Sequence, residues 1–171
     1  MTILPDFQIR SLCQTGMVTP YRADLVNPAS LDVLLGGMLL IESVQSPELV
    51  PYPLEDHDEQ NPYLLAPGQF CLAQTVETFN LPDHVAAEFR LKSSRAREGL
   101  DQALAVWADP GWCGSVLTME LRNNRQLHPI RLWPGMKIGQ MVFHSMLSVP
   151  VASYRTTGRY NGDATVTASK G

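Results

Sequence analysis

The sequence predicts a mainly β fold, a roll, distorted barrel or sandwich with a short N-terminal helix and few short helices besides. Three observations carry this. Thirteen prolines and twelve glycines in 171 residues place turns at close intervals. Between the turns lie short apolar or alternating segments of strand length. Helical spacing, in contrast, is scarce. The length suits one domain with its own core over residues 1–171, the last part (154–171) forming a mobile C-terminal arm.

Taken in order, Asp6 to Gln14 has loose helical spacing with Gly16 placed to end it, which predicts the N-terminal helix. Asn27-Pro28-Ala29-Ser30 is a turn. Leu31–Leu35 reads as a strand broken at Gly36-Gly37, and Met38–Ser43 as another. Ser46 to Asn61, rich in proline and acids, predicts a surface loop. Past Pro67-Gly68, strands are predicted over Gln69–Thr78 and Val85–Leu91, and Ala103–Ala108 is apolar and β-like. Asp109-Pro110-Gly111 is a tight turn. Ser115–Arg122 then alternates strictly, with Leu117, Met119 and Leu121 on one face and Val116, Thr118 and Glu120 on the other. Short and long strands follow at Ile130–Leu132 and Ile138–Ser145. From Tyr154 the chain is polar, the composition of an arm.

Composition excludes several classes. Apolar residues make up 44% and charged ones 18%, a soluble globular balance, and the net charge of -4 opposes binding to a nucleic-acid backbone. Cys13, Cys71 and Cys113 form no C-x-x-C pair and read as thiols of a reducing cytoplasm. There is no signal-peptide pattern and no run long enough for a membrane span. His57, His84, His128 and His144 lack metal-ligand spacing, and no Walker, G-x-S-x-G or Rossmann motif occurs. Trp107, Trp112 and Trp133 fall at strand ends and turns, as core plugs or interface anchors.

The densest chemistry lies in Lys92-Ser93-Ser94-Arg95-Ala96-Arg97-Glu98-Gly99-Leu100. Ser93 and Ser94 can cap a helix start and leave N–H groups for an anion, with Arg97 on the same face to fork onto a phosphate. The same residues also suit an ordinary solvated, capped turn. Glu120 reads either as a general base or as a solvent-facing strand glutamate, and Asp109 either as a functional acid or as an aspartate capping its own turn.

Together these segments resemble the dCTP deaminase family of the dUTPase superfamily, over nearly the whole chain. The resemblance rests on Val26–Val33, Leu65–Phe70, Lys92–Leu100, Asp109–Gly114, Thr118–Asn123 and Leu132–Gln140, in that order and at that spacing. It implies a dUTPase-like β-roll that forms a homotrimer with sites at subunit interfaces and acts on a deoxynucleoside triphosphate carrying Mg²⁺. By that analogy Lys92, Ser93, Ser94 and Arg97 hold phosphates, with Ser93 and Arg97 joining Glu120 in catalysis. Glu120 activates the water that attacks C4 of cytosine, without zinc, giving dUTP and ammonia. Thr118 and Met119, just before it, bind substrate with it, and Asp109 is the substrate-binding acid near the sugar. Tyr154, Arg159 and Asp163 fall where the family's tail closes over the triphosphate. No nucleic acid or membrane partner is implied, and the setting is the cytoplasm of a bacterium or of a phage-infected host.

The sequence departs from the family in two places. The segment Asp101–Ala108 is one residue short and the stretch from Gly114 to Glu120 one residue long, which re-registers the wall that reads the pyrimidine. Asp163 stands where the family often has glutamine. Alternatives are a dUTP diphosphatase or a bifunctional deaminase–diphosphatase that uses Asp109, on a standard or a modified pyrimidine, and a non-catalytic nucleotide-binding trimer.

Overall fold

The computed structural model describes residues 2–171. After β1 (Thr2–Ile3), helix α1 (Asp6–Gln14) has the predicted bounds and buries Ile9 and Cys13, four residues apart, against the sheet. Gly16 follows its last turn at φ +97° and redirects the chain. Two short strands, β2 (Val18–Thr19) and β3 (Val26–Asn27), precede the longest one, β4 (Ser30–Ser43). Next come β5 (Ser46–Pro53), β6 (Tyr63–Leu65), β7 (Phe70–Asn80) and β8 (Val85–Leu91). Helix α2 (Ser93–Arg97) leads into β9 (Leu100–Gln102) and β10 (Trp107–Ala108). The last strands are β11 (Cys113–Asn123), β12 (Ile130–Leu132) and β13 (Lys137–Ser145), followed by the single turn α3 (Tyr154–Thr157).

The main sheet runs β10-β8-β13-β4-β7-β11-β9, with β1 added to β13, β2 to β7, and β3 and β5 to β4; β6 and β12 pair separately. Its two ends, β9 and β10, are joined by only Ala103–Val106. Four residues span at most about 14 Å, so the sheet must curl until its ends nearly meet. The result is a mainly β half-barrel with few short helices, as expected from the sequence. Val33, Leu35, Leu39, Phe79, Phe89, Met119, Leu121 and Phe143 fill its interior and are fully buried.

The curl depends on β4. Its first half pairs with β13 through Leu31–Leu34, and its second half pairs with β7 through Leu39–Ile41. The sequence predicted a break at Gly36-Gly37; instead the glycines bend one continuous strand. Three residues of β4 there face a single residue of β7, a bulge that re-aims the strand. A Cβ on Gly36 would lie 2.6 Å from Gln74 Cγ and 2.9 Å from the Thr75 carbonyl, so glycine lets the two backbones approach. At the bend, the Leu34 N–H donates to Oε2 of Glu77 (3.0 Å), a buried carboxyl. A second bulge lies opposite Leu117, whose N–H donates to Thr75 Oγ1 (3.0 Å) while that hydroxyl donates to the Glu77 carbonyl (2.8 Å).

Two other expectations are corrected. Residues 46–61 are not all loop: 46–53 form β5, an edge strand, where Pro47, Pro51 and Pro53 cost little because the outer N–H row has no partner strand to serve. Ala103–Ala108 is not one strand, since only Trp107–Ala108 pair (with β8), and Leu100–Gln102 supply a strand the pattern did not mark. The tail crosses the outside of β11. Ser153 Oγ donates to Asp83 Oδ1 (2.5 Å), Val116 N–H donates to the Asp163 carbonyl (2.9 Å), and Val166 is buried beside Leu40 and Leu72. Among the described residues, no helix is long and apolar enough to cross a membrane.

Burial pushes the Glu77 carboxyl above its ordinary 4.5, against the opposing hydrogen bond from Leu34. The native state therefore binds the extra proton above pH 4.5, and stability falls as pH rises through the window from 4.5 to the folded value. Glu77→Gln keeps an acceptor for Leu34 and should flatten this slope. Glu77→Leu strands the Leu34 N–H and should cost about 1–3 kcal/mol. Urea unfolding at several pH values measures both.

Candidate active site

A cleft of about 810 Å³ lies along the seam where the curled sheet nearly closes. Its walls come from 104–109, which cross the seam, from the outer face of β11, from Glu48 and Leu49 of β5, and from the tail. The lining is largely apolar, with Leu104, Val106, Trp107, Trp112, Phe70 and Leu72 around a few polar groups. Such a lining lowers the local dielectric and strengthens the electrostatics of whatever charge it keeps.

The alternation predicted for β11 puts Thr118 and Glu120 in this wall. Met119 points the other way and is fully buried in the core, so its side chain does not line the cleft. Glu120 Oε2 accepts a hydrogen bond from Gln102 Nε2 (2.5 Å), and the Ala103 N–H donates to the Glu120 carbonyl (3.1 Å). Burial raises the Glu120 carboxyl above its ordinary value, and the Gln102 hydrogen bond opposes that rise. This is not the environment of a solvated strand glutamate.

Asp109 also departs from the ordinary reading. It does not cap its own turn with its side chain; Oδ1 accepts from the indole Nε1 of Trp107 (2.9 Å) at the cleft rim. Trp107 is about half exposed there, whereas Trp112 is the core plug, stacked on Phe79 with ring centroids 5.4 Å apart. From the tail, Tyr154 and Asp163 line the cleft and Arg159 does not. The acid at 163 is neutralised within the tail: Lys170 Nζ lies 2.6 and 2.9 Å from its two oxygens.

The Lys92–Arg97 segment is not part of this cleft. Lys92, rather than a serine, is the N-cap residue of α2, with no side-chain cap. Ser93, Ser94 and Arg97 are exposed. The Lys92 ammonium is committed to Asp32 (2.7 Å), a buried carboxylate that also takes Lys137 Nζ (3.0 Å) and Asn27 Nδ2 (2.8 Å). Burial raises the Asp32 carboxyl, but these three donors together hold it below the ordinary value of 3.8. One chain thus brings together Asp109, Thr118, Glu120, Tyr154 and Asp163, and holds Lys92, Ser93, Ser94 and Arg97 apart from them. Among the described residues, no three His, Cys, Asp or Glu side chains form a cluster that could hold a metal. Gln102 and Lys170 were not anticipated. One sits on a three-residue strand without a pattern and the other in a polar tail, and neither position carries a local signal.

The profile of the dCTP deaminase-like family matches residues 3–146. The chain belongs to this family. It is 38% identical over 98% of its length to a protein of Streptomyces griseus named "dCTP deaminase, dUMP-forming", of which it covers 94%. It is 39% identical to one of the same name from Beutenbergia cavernae, again over 98% of this chain and 94% of the other. The fold matches the crystal structure of 2'-deoxycytidine 5'-triphosphate deaminase from Agrobacterium tumefaciens with a TM-score of 0.68 at 22% identity. That match covers 84% of this chain and 47% of the other. The native EIAV dUTPase matches with a TM-score of 0.50 at 15% identity, over 80% of this chain and 89% of that one, which gives the fold as dUTPase-like. The protein is a dCTP deaminase-like enzyme.

Because folding raises the Glu120 pKa, the native state holds its proton above pH 4.5 more tightly than the unfolded chain does. The ionised carboxyl therefore opposes folding as pH rises through that window. Glu120→Gln should be the more thermostable protein at pH 8, and the difference should shrink toward pH 4. Thermal unfolding at the two pH values checks the sign.

Proposed function

We propose that this enzyme deaminates dCTP and then cleaves the product, releasing ammonia and pyrophosphate and leaving dUMP. The observation that carries the first step is Glu120, an ionisable carboxyl held in an apolar cleft with its pKa raised toward the working range of a general base. Glu120 takes a proton from water as the oxygen bonds to C4 of cytosine. It returns that proton to the exocyclic nitrogen as the C4–N bond breaks, so that dCTP and water give dUTP and ammonia. The apolar wall replaces bulk water around the pyrimidine and orients the ring.

The sequence alone put dUTP first as the product. The names of the relatives, matched over nearly the full chain, favour the second step here as well. Asp109 supports that reading, because the Trp107 indole aims its carboxylate at the cleft rim instead of into its own turn. In this step water displaces pyrophosphate at the α-phosphorus, with Asp109 as the base.

The phosphate contacts are the reason to propose a trimer. Ser93, Ser94 and Arg97 are exposed and lie outside this chain's cleft. A neighbouring subunit's α2 brought to the seam would complete each site with cations. Mg²⁺ arrives with the triphosphate and offsets its charge. The tail from Tyr154 acts as the arm that closes over the phosphates. The free thiols Cys13, Cys71 and Cys113 suit a cytoplasmic setting.

Four measurements test this. With dCTP and Mg²⁺, ammonia and pyrophosphate should appear in equal amounts; ammonia alone supports the simple deaminase, and no ammonia sinks the deamination reading. Glu120→Gln should lower ammonia release by about 10²–10⁴-fold. Asp109→Asn should accumulate dUTP while still releasing ammonia. Mixing and co-refolding the Glu120→Gln and Arg97→Ala variants should restore activity lost in each alone, because some mixed trimers regain one intact shared site; no recovery would count against the shared site.

A further inference from the structure

We infer that Gln102 is a positioning residue that commits Oε2 of Glu120 to the protein and leaves Oε1 as the atom that carries the catalytic proton. This rests on the proposed deamination. The Gln102 amide nitrogen lies 2.5 Å from Glu120 Oε2 and 3.0 Å from the Ala103 carbonyl. Only an N–H belongs against a carbonyl oxygen, so the contact with Ala103 sets which end of the carboxamide faces Glu120. Both N–H groups are then used. Turning the amide over would press its oxygen against the Ala103 carbonyl whatever the protonation of Glu120.

Gln102 is therefore a fixed donor, and Oε2 of Glu120 is permanently an acceptor. A proton taken from water has one place to go, Oε1, and it leaves from that atom when the C4–N bond breaks. The arrangement leaves Gln102 Oε1 buried without a hydrogen-bond partner, a condition rare in native structures. A residue serving only to fill space there would be better replaced by methionine or leucine, which carry no such oxygen. The strands hold the pair rigidly: Gln102 of β9 pairs with Leu121 of β11, the neighbour of Glu120.

Among the described residues, no ionisable side chain is hydrogen-bonded to Glu120. The cleft's other titratable groups are Glu48, Asp109, Asp163, Tyr154 and Tyr160, with Lys170 bound to Asp163. On β9, Asp101 accepts from Asn124 and lies opposite Arg122 of β11. On β7, the residue opposite Glu120 is Leu72.

The test compares the full-length protein with Gln102→Met, which keeps the volume and removes the donor. Two readouts are used: the pH profile of ammonia release from dCTP, and the carboxyl infrared band of Glu120 without substrate, identified by difference against Glu120→Gln. In Gln102→Met the infrared titration and the acid limb of kcat should both move up by about one pH unit. kcat at neutral pH should fall by roughly 10–100-fold with KM little changed. An unmoved titration and acid limb in a folded variant overturn the role of Gln102. Should Gln102→Met not fold, Gln102→Glu preserves the shape and should move the titration higher still through like-charge repulsion; no movement there also overturns it. Absence of ammonia from the unaltered protein with a shifted infrared titration overturns the deamination reading and not the Gln102–Glu120 coupling.

Discussion

The bend in β4 at Gly36-Gly37 is the constraint on which the rest of the structure depends. A strand shared by two halves of a sheet can either run straight, giving an open sheet with two edges, or turn, letting the ends approach each other. Glycine at the turn permits contact with Gln74 and Thr75 that no side chain allows. Glu77 supplies the acceptor for Leu34 at the bend. Because β4 turns, β9 and β10 arrive close enough for Ala103–Val106 to join them, and the cleft is the seam that closure leaves.

That seam explains the chemistry placed in it. In the proposed reaction the apolar walls shield the pyrimidine from water, and the same walls make an ionised carboxylate costly. Glu120 is kept usable by a single donor, and the donor itself gives up a hydrogen bond to serve it. Stability is thus surrendered at the carboxyl to which the proposed mechanism assigns the proton transfer. The tail balances its own charge in a similar way, since Lys170 neutralises the acid at 163.

Asp32 shows how distant motifs act together. Asn27, Asp32, Lys92 and Lys137 belong to three of the segments that carry the family resemblance, and they meet in one network around the buried Asp32 carboxylate. The lysine read from sequence as a phosphate ligand is, within this chain, the partner that makes burial of Asp32 tolerable. It also anchors the start of α2 to β4, which leaves Ser93, Ser94 and Arg97 facing outward.

Much of this was legible in the sequence by itself. Period-two alternation identified β11 and the face that bears Thr118 and Glu120; the helical stretch 6–14 and the exact span of β8 followed from local pattern; and the ordered motifs indicated the family. These are properties of neighbouring residues or of their order. The tertiary structure decided what depends on partners distant in sequence. Gly36-Gly37 bends a strand instead of breaking it because β13 and β7 pair on either side; proline-rich 46–53 is a strand because β4 offers it an edge. Met119 belongs to the core, Trp107 orients Asp109, and Gln102 reaches Glu120 across a strand pair. A hydrogen bond between residues 18 apart is invisible to local pattern, since it exists only once β9 has paired with β11.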